Sequence, residues 1–481
     1  MRMKFMDRLR TAFVGAPSWV RQVASPVLRL IPQHILYGPT YLEYRRHIDR
    51  SRSDEPFVRE WRTRKLRELL LLACRQAPYY RKIATQLELS EADLANFELS
   101  GLARFPILSK DQLRAALNDF ITRPPGQLDV VSTSGSSGRP LVFYLDKDRS
   151  ATEWAFVQDG WAKIGLTGKD ARAVFRGAYI PHVDGTPWEY NSTLHELRLS
   201  PFHLTDNWMN KYCDLIMRYS ATYLFGYPSA MAILAAHVLR AGRKDVAEQI
   251  KGAYVISENL LDHQRELIAH TFNTDKISAS YGMSEKVAYG SELRGWPGVF
   301  ELEPLYGISE LIGDDGNPVT TAGGRGRIVS TGLLFTGMPL VRYDTGDIAE
   351  LVESPSPQNL HRLVVRNIRS HWVQEFLVGV DNRLIPMTAM NIHSPAYLKI
   401  QAFQFFQDTP GRAVFKAIPA AGCGVDDIRP IITEISRKTG SSISLDLELV
   451  ETLQSNKRGK SKFIDQRLDL AKFQTGPIAA V

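Results

Sequence analysis

Val130-Val131-Ser132-Thr133-Ser134-Gly135-Ser136-Ser137-Gly138-Arg139-Pro140 joins two apolar runs. Leu128 to Val131 reads as the end of a buried strand, and Leu141-Val142-Phe143-Tyr144-Leu145 as a second strand. Between them, residues 132–138 hold five hydroxyl side chains and two glycines. Glycine lets the backbone turn with positive φ, so successive N–H groups converge on one point, and hydroxyls add rotatable donors. A Ser/Thr/Gly loop between strands is therefore a cradle for an anion rich in acceptor oxygens. It is not a Walker A loop, which needs Lys and then Ser or Thr after its last glycine; Arg139-Pro140 follow here. Composition alone also permits a flexible linker, so the rest of the chain must decide.

The 481 residues exceed one ordinary core, which implies two or more domains. A hydrophobic content of 44% with 23% charged residues suits a soluble globular enzyme. Cys74, Cys213 and Cys423 are scattered, without metal-ligand spacing. They read as buried inert thiols in a reducing cytosol. No run is apolar enough to span a membrane, and no signal peptide is evident. Of the net charge of +7, residues 1–50 carry nine Lys/Arg against three Asp/Glu, or +6, which leaves +1 for the remainder. That argues against a nucleic-acid-binding body and isolates a basic arm. Phe5, Leu9 and Phe13 make a helical stripe among Arg2, Lys4, Arg8 and Arg10. Such a stripe fits peripheral contact with an anionic membrane; packing on the body or partial disorder is the plainer reading.

Along the chain, residues 57–87 read as helical, and Ser109 as the N-cap of a further helix after 105–108. Residues 146–163 also read as a helix, whereas 170–205 look irregular and aromatic. His182, His195 and His203 lie there without metal-ligand spacing. Ala230 to Arg240 is helical, with Gly242 as its stop. Two strand–loop units follow: Ala253-Tyr254-Val255-Ile256 into Ser257-Glu258-Asn259, and Ile277-Ser278-Ala279-Ser280 into Tyr281-Gly282-Met283-Ser284-Glu285, with a helix at 261–271 between them. Alternating strands and helices imply a mainly parallel sheet, whose ligands collect at C-terminal strand ends. Residues 299–348 read as short antiparallel strands ending in Arg342-Tyr343-Asp344-Thr345-Gly346-Asp347. From about 370 the pattern is α+β: a hairpin around Pro410-Gly411, a helix at 426–438, an alternating strand at 443–449, and the basic loop Asn456-Lys457-Arg458-Gly459-Lys460-Ser461-Lys462.

In this order, the Ser132–Pro140 loop, Tyr281–Glu285, Arg342–Asp347 and Gly459-Lys460 resemble the adenylate-forming enzymes, the superfamily of acyl-CoA synthetases and related ligases. Ala77-Pro78-Tyr79-Tyr80-Arg81 and Gly226-Tyr227-Pro228-Ser229 narrow the likeness to the phenylacetate–CoA ligase family and its branch associated with capsular polysaccharide biosynthesis. The likeness spans about residues 60–470.

It implies an α/β fold with an α+β C-terminal domain: after the basic arm that charge marks at 1–50, an adenylation domain at 51–368 with a small barrel-like part, and a mobile domain at 369–481. It implies ATP and Mg²⁺, a small carboxylate substrate, and an acceptor that is either CoA or an amine, sugar or carrier. Ser132, Thr133, Ser134, Gly135, Ser136, Ser137 and Gly138 would hold phosphates. Ser257 and Glu258 would border the adenine, with Tyr281 stacked on it beside Gly282, Met283 and Ser284. Glu285 would bind Mg²⁺, Asp347 the ribose hydroxyls, and Lys460 the oxygens that gain charge. Arg369 matches the hinge arginine, but Asn367-Ile368 stand where the family has a glycine. Nucleic acid is not an expected partner, a homodimer is compatible with the likeness, and the expected location is cytoplasmic, with the inner membrane surface open through the arm. A non-catalytic nucleotide-binding member of a surface-polysaccharide assembly is the alternative from another class.

Overall fold

The computed structural model describes residues 33–133, 139–177, 180, 186–356, 361–370, 375–390, 394–454 and 463–473. Ser134, Gly135, Ser136, Ser137, Gly138, Lys460 and the stripe at Phe5, Leu9 and Phe13 lie outside them. In chain order the strands are β1 (Leu128–Thr133), β2 (Leu141–Asp146), β3 (Arg172–Phe175), β4 (Trp188–Asn191), β5 (Glu196–Leu199), β6 (Tyr223–Gly226), β7 (Gly252–Val255) and β8 (Ile277–Gly282). Then come β9 (Tyr289–Leu293), β10 (Trp296–Leu302), β11 (Gly307–Ile312), β12 (Arg325–Gly332), β13 (Tyr343–Leu351) and β14 (Leu363–Ser370). The last are β15 (Phe376–Val378), β16 (Leu384–Pro386), β17 (Ile400–Thr409), β18 (Arg412–Pro419), β19 (Ser444–Leu449) and β20 (Ile464–Gln466). The chain forms two compact units, Met1–Arg50 with Asp148–Ala279, and Ser51–Lys147 with Ser280–Val481.

In the first unit β5, β3, β6 and β7 run parallel in that order, β4 lies antiparallel against β5, and residues 277–279 of β8 pair parallel with β7. Helices Ser150–Ala162, Asp206–Arg218, Pro228–Arg240 and Asp262–Phe272 alternate with these strands. Trp161, Ile164, Leu166, Val174, Tyr223, Phe225 and Tyr254 form a buried cluster here. The segment 170–205, irregular by sequence, contains β3, β4 and β5. Their four-residue length is too short for alternation to register.

The close approach of β3 and β6 requires Gly226. Its φ is +135°, and a Cβ there would lie 1.9 Å from the Phe175 carbonyl oxygen.

In the second unit β1 and β2 form an antiparallel hairpin, with Thr133 opposite Leu141, so the Ser/Thr/Gly loop is the hairpin's connection. Antiparallel pairing continues through β11, β12, β13, β14, β10 and β9 to residues 280–282 of β8. Leu302, Leu311, Ile328, Ala349, Leu351 and Val365 are buried together under it. The expected helix over 57–87 is two helices, Glu55–Gln76 and Pro78–Gln86, because Pro78 cannot donate to the ladder and starts the second. Ser109 accepts from the Gln112 N–H at 3.2 Å while Gln112 bonds back to Ser109, a capping box.

The C-terminal residues of this unit are α+β. β19, β18, β17 and β20 make one sheet, and helix Val425–Thr439 buries Ile428, Ile431 and Ile435 on one side. Cys74 and Cys213 are buried as expected; Cys423 is only half-buried.

Candidate active site

In the second unit, two tyrosine–carboxylate pairs lie on neighbouring elements. Tyr281, at the end of β8, donates its hydroxyl to Asp347 Oδ2 at 2.8 Å. Tyr343, at the start of β13, donates to Glu285 Oε1 at 2.8 Å. Tyr343 is fully buried and Glu285 nearly so. Burial, and next the facing carboxylate, hold both phenols well above their ordinary pKa, so each remains a donor. Asp347 and Tyr343 share β13, which ties the pairs together.

The turn before Asp347 is fixed by its own side chains. Thr345 Oγ1 donates to the Ile328 carbonyl at 2.8 Å and accepts from the Asp347 N–H at 3.1 Å. Gly346 has φ of +79° and donates to Asp344 Oδ1 at 2.9 Å. Ahead of it, Arg342 has φ of +49° and is anchored by Glu310 at 3.0 Å and by the Phe105 carbonyl at 2.8 Å. Leu108 clamps the same turn, donating to the Arg342 carbonyl and accepting from the Asp344 N–H, both at 2.9 Å. In the Arg-Tyr-Asp-Thr-Gly-Asp run, Arg342, Asp344, Thr345 and Gly346 fix the turn that presents Asp347, and Tyr343 holds Glu285. Sequence reasoning singled out Asp347 and passed over Tyr343 and Arg342, which lie in the same quoted motif.

Gly282 is exposed, while Met283 and Ser284 are half-buried and lead from Tyr281 to Glu285. Ser132 differs from expectation. It is fully buried and its Oγ accepts from the Ser394 N–H at 3.3 Å, so it anchors the hairpin to the segment at 394. Thr133 is half-buried at the edge of the loop.

Ser257 and Glu258 belong to the first unit, after β7. Ser257 is exposed with φ of +66°, and Glu258 is buried, accepting from the Ser229 N–H at 3.3 Å. Arg369 lies in β14 opposite Ile348, exposed. Two residues before it, Asn367 has φ of +53°, a conformation that Asn tolerates better than most other side chains.

Glu285 suits a hard cation. It is a buried carboxylate with one oxygen held by Tyr343, and no described residue donates to the other. The described residues contain no cluster of three or more His, Cys, Asp or Glu that could hold a metal alone. That is compatible with Mg²⁺, which keeps waters and takes substrate phosphates.

No family model matches the sequence. The chain is 22% identical over 399 residues to Protein CapK of Staphylococcus aureus, covering 81% of this chain and 85% of that protein. It is 23% identical over 371 residues to a phenylacetate–coenzyme A ligase of Aromatoleum evansii, covering 73% and 81%. Over most of its length the chain is thus similar to CapK and to a phenylacetate–coenzyme A ligase. A phenylacetate–coenzyme A ligase of Pseudomonas putida is 25% identical over 304 residues, 61% of this chain and 67% of that one. Among solved structures, a 2-hydroxyisobutyryl-CoA ligase in complex with 2-HIB-AMP and CoA covers 86% of this chain and 90% of its own, at 15% identity and a TM-score of 0.49. Among the described residues, no helix is long and apolar enough to cross a membrane.

Proposed function

We propose that the protein is an AMP-forming ligase that activates a carboxylate as its acyl adenylate, releases pyrophosphate, and passes the acyl group to an acceptor, CoA first among the candidates. The observation that carries this reading is the pair of tyrosine-held carboxylates, Tyr281–Asp347 and Tyr343–Glu285, at the two motifs where the resemblance expects ribose and metal ligands.

Asp347 would accept from the ribose hydroxyls, and the Tyr281 ring would face the adenine while its hydroxyl keeps the carboxylate aimed. Glu285 would hold Mg²⁺, which when bound offsets the phosphate charge. Thr133, with Ser134 to Gly138, would supply donors to the phosphates, and Ser132 would brace them from below. Lys460 would meet the oxygens that gain charge as the adenylate forms, an electrostatic task that needs no protein nucleophile. Ser257 and Glu258 would border the adenine. Arg369 would mark the point where a C-terminal domain from 369 onward turns between half-reactions.

The capsular-polysaccharide branch of the resemblance implies a second acceptor class, a sugar amine, amino acid or carrier. Carboxylate-dependent ATP–pyrophosphate exchange over a broad acid panel tests activation without assuming an acceptor. Product analysis with CoA or amines then separates the two classes.

A further inference from the structure

The exit of the Ser/Thr/Gly loop is held by a side chain outside the recognised motifs. Arg139 and Pro140 follow the loop and lie outside the β1–β2 ladder, whose last pair is Thr133 with Leu141. Arg114 Nη2 donates to the Arg139 carbonyl at 3.1 Å, and Arg114 Nε donates to the Pro140 carbonyl at 3.4 Å. Pro140 has no N–H, so that carbonyl is its one backbone hydrogen-bonding group. Arg114 Nη1 donates to Asp111 Oδ1 at 2.7 Å. The Asp111 side chain is 82% exposed, so this ion pair contributes little. The two carbonyl bonds are the informative ones. A guanidinium is a rigid fork of donors and can meet two neighbouring carbonyls together, whereas an ammonium is a point charge.

Arg114 is itself fixed to the other half of the site. It lies in helix Lys110–Ala115, which starts at the Ser109 capping box and packs against both β2 and β13. Leu108, two residues before that helix, pairs with Tyr343 and bonds the Arg342 carbonyl and the Asp344 N–H. Arg114 also faces Tyr343: burial and then Glu285 raise the Tyr343 pKa, and the Arg114 charge opposes them. One short helix therefore links the loop exit to the Tyr343–Glu285 pair.

We propose that Arg114 is a positioning residue, which sets the phosphate loop in register with the Tyr343–Glu285 pair so that the loop donors and the metal carboxylate meet one triphosphate. The inference rests on the ligase reading above and deepens it. Arg114 acts through the two carbonyls at the loop exit and not by touching the nucleotide. The adenosine end is held independently, because Asp347 is fixed by the Tyr281 hydroxyl and by Thr345. Loss of Arg114 therefore weakens the hold on the β- and γ-phosphates and spares a nucleoside monophosphate.

The test is calorimetric titration of full-length wild type, Arg114→Gln and Arg114→Lys with ATP and Mg²⁺ and, separately, with AMP. Both variants are expected to bind ATP about tenfold more weakly, the effect of losing two carbonyl bonds, with AMP affinity and melting temperature unchanged. Hydrogen exchange is expected to quicken at residues 139–142 in both variants and to stay as in wild type at residues 343–347. Full ATP affinity in Arg114→Lys would show that charge alone suffices and would overturn the positioning role. ATP affinity equal to wild type in both variants, ATP and AMP affinities falling together, or unchanged exchange at 139–142 would overturn it too. If wild type binds ATP but supports no carboxylate-dependent pyrophosphate exchange, the ligase reading falls and the Arg114 result stands.

Discussion

At the scale of single residues, the site consists of carboxylates whose direction is set by phenols. A hydrogen bond to a charged group contributes roughly 1.5–3 kcal/mol. Tyr281→Phe keeps the ring and removes the donor to Asp347, so ATP affinity is expected to fall by about that amount or less. Asp347→Ala removes the acceptor itself and is expected to cost at least as much. Tyr343→Phe frees Glu285 and is expected to raise the Mg²⁺ concentration that half-saturates exchange while leaving the fold intact. Titration calorimetry and a Mg²⁺ series check these effects; unchanged ATP affinity in both Asp347→Ala and Tyr281→Phe would remove the ribose assignment.

At the scale of elements, much of the chain was legible because its signals are local. The 230–240 and 426–438 helices, the Pro410-Gly411 hairpin and the capped turn at Ser109 follow from spacing, capping and turn chemistry. β3, β4 and β5 did not, because each has four residues and their identity comes from neighbours across the sheet. The tyrosine–carboxylate pairs were half legible: the carboxylates stand in recognisable motifs, but which phenol reaches which carboxylate depends on β8 and β13 meeting in space. The left-handed backbone of Asn367 was not legible, since sequence shows the residue and not its φ.

The first unit also carries a buried ion pair that sequence could not reveal. Arg172 Nη2 meets Glu196 Oε1 at 2.8 Å, and Arg198 meets Glu196 Oε2 at 3.2 Å. The Arg172 guanidinium lies 4.4 Å from the Trp161 ring centre. Burial alone would raise the Glu196 pKa, but Arg172 and Arg198 outweigh it and hold it below the usual carboxylate range. Its stabilisation is therefore complete above the unfolded-state value and is lost as pH falls through the lower folded-state value. Glu196→Gln leaves Arg172 buried without its counter-charge, so a loss of about 3–5 kcal/mol at neutral pH is expected. The variant should also lose stability less steeply toward acid than wild type. Urea denaturation at several pH values reads both effects, and parallel curves for the two proteins would contradict the assignment.

At the scale of the whole molecule, charge is segregated: residues 1–50 hold +6 of the +7. Each cation near an anionic bilayer contributes about 1 kcal/mol, and salt screens it. Deleting residues 1–32 is expected to abolish co-sedimentation with phosphatidylserine vesicles at low salt; equal binding by both forms would assign the arm to some other task.

The two units and their motifs converge on one chemical claim, that this protein makes an acyl adenylate. Carboxylate-dependent exchange of radiolabelled pyrophosphate into ATP measures that step alone. With wild type and a responsive acid, exchange is expected to require the acid and Mg²⁺. Lys460→Ala is expected to lower it by about 10²–10³, the cost of losing a donor to developing charge, while the variant still consumes pre-made acyl adenylate with acceptor. No acid in a broad panel supporting exchange by wild type, despite measurable ATP binding, would contradict the claim and point to a nucleotide-binding protein without turnover.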